Sequence, residues 1–405
     1  MNKELSGGAI VAGTAIGASM LALPFMTGAA GFWYSSLGLV FCYLYSLTTL
    51  LLLLEVTLYC SNEDANIISM AHMHLGKVGE YITWGIFLVL LYIISTSYIS
   101  GGGSLLSSII TEFGINISKP VSMTIFTTLF GLVAFRGVYL IDVINRILTT
   151  ILLLSFVMLV VSIAPYTNLN QLSGGELKYL PAGLSVTVAA FACHFVVPSL
   201  RKNFSSDVAS LKRMIWVGAS LPLVIYLVYQ FLIMSLLPHD GPGSLIAMAS
   251  TGDPLQNLQE TLISSGATFV PNVIIVFANC AILTSFLGVV LAISDFLEDG
   301  LKIQEHPHKH IICALLSLGP PFLMALFIGP AGFTKALDYS GFLVNFLFGI
   351  LPIMMAWNAR YREKLSSPYQ LPGGKTALVL LLILCLWFMY NVLANTMQWL
   401  PTPGN

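Results

Sequence analysis

Gly13-Thr14-Ala15-Ile16-Gly17-Ala18 lies in the middle of the first long apolar stretch of the chain, and its reading decides the fold. Glycine and threonine are poor helix formers, yet a helix crossing lipid can leave none of its peptide groups unsatisfied. A break at that depth persists only where it is buried in protein or lines a cavity that something else fills. A transported solute or ion is what such a cavity holds. A second interruption lies in the sixth apolar stretch, Ala189-Ala190-Phe191-Ala192-Cys193-His194-Phe195-Val196-Val197-Pro198-Ser199-Leu200. There a histidine in mid-membrane and a proline four residues later both weaken a regular helix. The first break has the same grammar, being followed by Leu21-Ala22-Leu23-Pro24.

The composition agrees with a membrane reading. Of 405 residues, 57% are hydrophobic and 9% charged, whereas a soluble domain carries about a quarter charged residues. Apolar runs at about 6–28, 32–59, 80–111, 119–136, 142–164, 180–200, 214–238, 265–297, 310–328, 332–358 and 376–399 predict eleven transmembrane helices in one all-α integral membrane domain. Each is of the order of the ~20 residues that span a bilayer core. With the N-terminus in the cytoplasm, fourteen of the seventeen Lys and Arg residues fall inside, and only Lys119, Lys178 and Lys335 fall outside. The C-terminus is then periplasmic. The start Met-Asn-Lys-Glu-Leu leads into a glycine-rich span without a cleavage site, which reads as a retained helix.

A formal net charge of −1 points to no nucleic acid, and six scattered cysteines without a CxxC pair give neither a disulfide framework nor a zinc site. Residues 60–79 form a polar cytoplasmic segment, read as a short surface helix. The stretch 238–264 faces outside without Lys or Arg and has the length of a lid. Segment 366–375 reads as a plain linker.

Spans one and six run in opposite directions, as they must if five spans are repeated with inverted topology. The first repeat is then about 6–164, the second about 180–358, and the helix at about 376–399 is extra. Interrupted helices supply chemistry without charged side chains. Free N–H groups near Gly17, Ala18 and Ser19, at a positive dipole end, suit a carboxylate. Carbonyls freed around Gly13, Ala15, Phe191 and Ala192 suit an ammonium group or a small cation. A site offering both receives a zwitterion, hence an amino acid. The competing reading of Gly13xxxGly17 is helix packing.

At these residues the chain resembles a known family. Gly-Thr-Ala-Ile-Gly-Ala-Ser with Met-Leu-Ala-Leu-Pro, Phe-x-x-His-Phe-Val-Val-Pro-Ser-Leu, and Ala-Ile-Leu-Thr-Ser-Phe-Leu-Gly with Asp-Phe-Leu-Glu-Asp-Gly are together similar to the bacterial hydroxy/aromatic amino acid permeases, closest to their tyrosine-specific branch. The resemblance runs nearly the whole chain. It implies a leucine-transporter-type fold of eleven helices and uptake of an aromatic amino acid driven by a cation gradient. It aligns Ala15 to Ser19 with the main-chain substrate site and Phe191 to His194 with its partner in span six. The candidate substrate set is thus Thr14, Ala15, Gly17, Ala18, Ser19, Phe191, Ala192 and His194, with Tyr98 of span three.

For the coupling ion, Ala281-Ile282-Leu283-Thr284-Ser285 matches the Ala-x-x-Thr-Ser pattern that, with two carbonyls of the first break (here Gly13 and Ile16), holds sodium in sodium-coupled relatives. Oxygen ligands of this kind suit an alkali cation. The permease branch is regarded as proton-coupled, and span five lacks the lysine that some proton-coupled relatives place there, so both ions stay open. Thr284 and Ser285 can equally bond back to their own helix. No other cofactor is implied.

Few ionisable groups lie inside. Glu55 in span two must be protonated, paired or turned to the bundle; it is read either as a proton carrier or as a brace accepting N–H groups of the interrupted first helix. His194 is a proton-coupling or phenol-binding candidate, or else a neutral imidazole bonded to a neighbour. Asp295, Glu298 and Asp299 read as inner-gate partners of Arg136, Arg146 or Arg201. Gly101-Gly102-Gly103 of span three admit either a substrate ring or a close neighbouring helix. His306, His308 and His310 read as a solvated loop. The predicted partners are an amino acid, a coupling cation and the lipid bilayer, and the predicted location is the bacterial inner membrane. A channel would show a polar stripe or charged ring, and an embedded enzyme a nucleophile or ligand cluster. The sequence shows neither.

Overall fold

The computed structural model describes residues 3–62, 65–135, 138–204, 207–241, 243–250, 257–258, 269–301, 308–329 and 332–401. These form fifteen α-helices linked by short 3-10 and π turns. They are α1 (Lys3–Ala15), α2 (Ser19–Met26), α3 (Gly31–Tyr59), α4 (Ile67–Glu112), α5 (Lys119–Phe135), α6 (Val138–Ile163), α7 (Leu180–Ala190) and α8 (Val197–Phe204). There follow α9 (Val208–Leu236), α10 (Leu245–Ser250), α11 (Phe269–Gly300), α12 (Lys309–Ile328), α13 (Gly332–Asn345), α14 (Leu351–Trp357) and α15 (Gly374–Thr396). Among the described residues nine helical stretches are long and apolar enough to cross a membrane, ten if the bent pair α1–α2 counts as one. The apolar stretch Lys119–Val133, inside the fourth predicted span at about 119–136, is shorter than the others and does not reach that length.

The apolar runs predicted the helices closely, and the differences have local causes. α4 begins thirteen residues before the predicted third span because Asn66 caps it, its Oδ1 accepting from Ile68 N (3.0 Å) and Ser69 N (2.9 Å). The expected surface helix is therefore the first part of α4, which turns at Gly76 (φ 72°, ψ −169°) before entering the span. Asp207 caps α9 in the same way through Ala209 N and Ser210 N, both at 3.2 Å, and moves its start ahead of the predicted 214. The Ser210 hydroxyl first, and then the backbone N–H groups of Ala209 and Ser210, hold the exposed Asp207 carboxyl below its usual range. The predicted tenth span is one continuous path, α13, a π turn at Phe346–Ile350, α14 and a second π turn at Asn358–Arg362.

The core lies where the broken helices meet α3, α4, α9 and α13. α1 packs on α9, α2 on α7, α3 on α7 and α9, and α13 on α4, α7 and α15. α6 and α12 close the outside; their outward residues Leu153, Leu154, Val157, Val161, Leu315 and Phe327 are exposed. Such continuous apolar surface is intolerable in water and is what a lipid-facing helix carries.

One close approach depends on glycine. Gly31 (φ 77°) and Gly175 (φ 86°) both occupy the left-handed region, and the two turns touch. A Cβ on Gly175 would lie 2.3 Å from the Ala30 carbonyl carbon, and one on Gly31 2.1 Å from Gly174 O. Next to them Glu176 N donates to Ala29 O at 3.3 Å. This seam joins the turn after α2 to the connection before α7, so it ties the two broken spans. Gly175→Val is expected to lower stability by on the order of 1–3 kcal/mol, read as a lower thermal midpoint in detergent; an unchanged midpoint would refute the seam.

Candidate functional site

α1 stops at Ala15 and α2 starts at Ser19, with the axis turning by 57° across Ile16-Gly17-Ala18. Ile16 N still reaches Ala12 O (2.8 Å), while Met20 N and Leu21 N reach only Gly17 O (3.2 Å) and Ala18 O (3.1 Å). The helix therefore ends and restarts, leaving carbonyls on one side and N–H groups on the other. The second break has the same form. α7 ends at Ala190, Cys193 N turns back to Phe191 O (2.9 Å), and His194–Val196 forms a short 3-10 turn before α8. Pro198 is the second residue of α8, where a missing N–H costs no helix bond, so it marks a restart and no kink.

One side chain joins the breaks. The Tyr226 hydroxyl on α9, fully buried, donates to Ala15 O (2.6 Å) and Ala190 O (2.8 Å), the last carbonyls of the two half-helices. Both helices point the negative ends of their dipoles at that phenol. Phe191 packs on the Tyr226 ring at 5.1 Å and on Tyr43 at 6.2 Å.

The positive side of the first break meets α11 and α4. Ala18 N donates to Ser285 Oγ at 3.2 Å. A Cβ on Gly17 would stand 2.7 Å from the same oxygen, so the backbone approaches Ser285 only because residue 17 is glycine. The Tyr98 side chain of α4 lies beside the side chains of Ser285 and Ser19. Gly17, Ala18, Ser19, Tyr98 and Ser285 thus share one cluster, with Ala15 and Phe191 on the Tyr226 side.

Other candidates lie differently. Thr14 Oγ1 bonds Ile10 O at 2.7 Å, and Thr284 Oγ1 bonds Cys280 O (2.9 Å) and Ala281 O (3.1 Å), so both hydroxyl protons go to their own helices. Gly13 is exposed and has open space at its Cβ position, Ile16 and Ala192 are half-buried, and Ala281 is buried in the core. His194 is turned to α3 and the first π turn: Nε2 lies 2.8 Å from Thr49 Oγ1, and the ring stacks on Phe348 at 4.9 Å.

Glu55 does not brace the first break. Its carboxylate takes a bidentate pair from Arg360, with Nε to Oε1 at 2.6 Å and Nη2 to Oε2, and both side chains are buried. Tyr59 Oη donates to Oε1 (2.8 Å) and Leu371 N to Oε2 (2.7 Å), while Arg360 Nη2 also reaches Leu371 O (3.2 Å). Four donors fill the carboxylate's acceptor sites. The sequence expected the brace on span one because that helix has orphan N–H groups; a guanidinium offers a charge as well and wins. Segment 366–375 is accordingly more than a linker.

Arg201 is committed elsewhere than to the acidic end of α11. Its guanidinium donates to Thr57 O and, at 2.8 Å, to Cys60 O, capping α3 from α8. Arg136 and the side chain of Asp299 lie outside the described residues, as do most of 251–268 in the expected lid and residues 302–307, which include His306. The three glycines of α4 accept neighbours: Cβ atoms there would meet Phe333, Phe126 and Met123 at 2.8, 2.3 and 2.5 Å.

A family model described as the tryptophan/tyrosine permease family matches residues 1–392. The chain belongs to the tryptophan/tyrosine permease family. This permease is 32% identical over 386 residues to Tyrosine-specific transport system 2 of Haemophilus influenzae, covering 95% of this chain and 94% of that one. Tyrosine-specific transport system 1 of the same organism is 33% identical over 388 residues, covering 95% of each. The fold is that of a solved manganese transporter mutant from Eremococcus coleocola, with a TM-score of 0.65 at 12% identity, covering 98% of the permease and 88% of that chain. The permease is thus a multi-pass membrane transport protein and no enzyme, as its motifs suggested.

Sequence reading missed two residues of this permease. Tyr226 sits in an apolar run where a tyrosine reads as core, and its partners are 211 and 36 residues away. Asp338 lies six residues into α13, where sequence leaves open an escape to the membrane interface. It is in fact buried, at 5% exposure.

Proposed function

We propose that this permease is a symporter that imports an aromatic amino acid, tyrosine foremost, across the bacterial inner membrane by alternating access. The observation that carries the reading is the meeting of two helix breaks: carbonyls of Ala15 and Ala190 converge on Tyr226, and the Gly17–Ser19 turn with Ser285 and Tyr98 lies beside them. Carbonyl ends attract an ammonium group, and the N-terminal end of α2 attracts a carboxylate. An amino acid has both. Phe191 and Tyr43 offer aromatic faces to a ring.

In this proposal α5 completes eleven spans, since its 17 residues reach about 26 Å. Spans one to five and six to ten form inverted repeats of leucine-transporter type, with α15 extra. The charge bias of the loops puts the N-terminus inside and the C-terminus outside. A cation gradient drives uptake. The resemblance favours H+; Na+ is favoured by Thr284 and Ser285, whose oxygens keep lone pairs for a cation, with the Gly13 and Ile16 carbonyls as the further ligands the resemblance implies. Cation binding that stabilises the outward-open form raises substrate affinity, and substrate raises cation affinity equally.

The deciding experiment is uptake of labelled tyrosine into proteoliposomes under imposed H+ or Na+ gradients, with other amino acids as competitors. Accumulation of tyrosine, blocked by aromatic amino acids, is expected; accumulation only of solutes without a carboxylate would overturn the proposal. Tyr226→Phe in the same assay is expected to raise the half-saturating tyrosine concentration about tenfold, because two break carbonyls lose their donor. An unchanged value would remove Tyr226 from the site.

A further inference from the structure

Asp338 is a buried carboxyl with only neutral partners. Ser185 Oγ of α7 donates to Oδ1, and Asn395 Nδ2 of α15 donates to Oδ2 at 2.8 Å. No cation pairs with it among the described residues. Lys335, one turn earlier on α13, is exposed. Of the elements packed on α13, neither α7 nor α2 has an ionisable side chain. On α4, Tyr98 lies beside Ser285 and Ser19, Tyr92 bonds Leu316 O, and the other ionisable side chains described cluster before Thr83. On α15, Cys385 bonds Tyr45, Tyr390 is exposed, and Lys375 sits at the far end. α12 carries its ionisable residues within its first five positions. Asn391, one turn before Asn395, keeps a buried Nδ2 without a partner among the described residues.

The contrast with Glu55 is instructive. Glu55 meets a guanidinium and fills its acceptor sites, an arrangement that fixes a charge. Asp338 has two neutral donors in a buried setting, where a full negative charge is costly and a proton removes that cost. Its position also matters. Ser185 lies five residues before Ala190, whose carbonyl Tyr226 holds, on the same half-helix. α13 lies backbone to backbone with α7 there, a Cβ on Gly341 standing 2.6 Å from Ser185 O. A change of hydrogen bonding at Asp338 acts directly on the helix that ends in the second break.

We propose that Asp338 is the carboxyl that takes up and releases the co-transported proton, an assignment that rests on the symport reading above. The step is balanced: the carboxylate gains H+ from the outer solution, the acid Oδ–H replaces an acceptor, and Ser185 then turns its hydroxyl to accept. Loss of H+ inside restores the carboxylate.

The test uses the full chain in proteoliposomes with labelled tyrosine. With acid outside, the wild type is expected to accumulate tyrosine and acidify the lumen, read by a trapped pH dye. Asp338→Asn is expected to lose both while keeping tyrosine–tyrosine exchange within about threefold. Accumulation by Asp338→Asn under the pH gradient, or wild-type accumulation under a Na+ gradient alone, would overturn the assignment. If the wild type accumulated under pH yet Asp338→Asn did so as well, the symport reading would survive its fall. A wild type unable to exchange tyrosine would remove the symport reading, and this one with it. Should Asp338→Asn fail to fold, Ser185→Ala and Asn395→Ala serve instead. Each deletes a donor to the carboxylate, and the pH of half-maximal uptake is expected to move alkaline by about half a unit to one unit; an unmoved profile overturns the proposal.

Discussion

Arg360→Ala is expected to be the most damaging single substitution for stability, costing about 3–5 kcal/mol. Glu55 is fully buried, and without the guanidinium its charge would be left with Tyr59 Oη and Leu371 N alone. The loss would loosen three parts at once, because the pair joins α3, the π turn at the end of the tenth span and the 366–373 connection. The neighbouring contacts add to the join: Asn358 Nδ2 bonds Glu363 Oε1 (2.9 Å), and His74 Nδ1 lies 3.0 Å from Glu363 Oε2, tying in α4. Replacing both partners, as in Glu55→Leu with Arg360→Met, is expected to recover much of the loss, since removing both charges leaves none uncompensated. Thermal unfolding in detergent reads both. An Arg360→Ala protein as stable as wild type would contradict the buried pair.

Gly17→Leu is expected to abolish tyrosine binding while the protein still inserts. A Cβ alone would stand 2.7 Å from Ser285 Oγ, and the branched remainder of leucine would displace either Ser285 or the turn itself. Either way the Ala18 N–H to Ser285 bond is lost, and the N–H groups at the start of α2 no longer converge. The substitution also puts a good helix former where a break is required, favouring continuation of α1 into α2. Binding to purified protein in detergent, beside a normal yield of folded monodisperse protein, is the measurement. Normal uptake by Gly17→Leu would contradict the site.

How much was legible follows from the range of each interaction. Apolar runs are local, so the spans were found to within a few residues, and where α4 and α9 started early the reason was a local cap, Asn66 or Asp207. The breaks were legible because Gly17 and Pro198 act on their own helices. The partners were not. Glu55 was recognised as needing one, but Arg360 lies 305 residues away. Tyr226 was invisible because an apolar helix accepts tyrosine for packing, and only the converging carbonyls give its hydroxyl a purpose. His194 drew attention by its chemistry, yet its bond is to Thr49, a residue unremarkable in sequence.

The Arg201 cap on α3 bears on how the molecule moves. A guanidinium on α8 grips the end of α3 through Thr57 O and Cys60 O, so the piece beyond the second break is tethered to α3. Under the alternating access proposed above, a tilt that opens the inner side would carry α3 along, hinging at the three residues between the helical pieces, Phe191 to Cys193. In that proposal the fulcrum falls on Ala190, whose carbonyl the Tyr226 phenol grips, so the pivot of the stroke and the seat of the cargo would be one place.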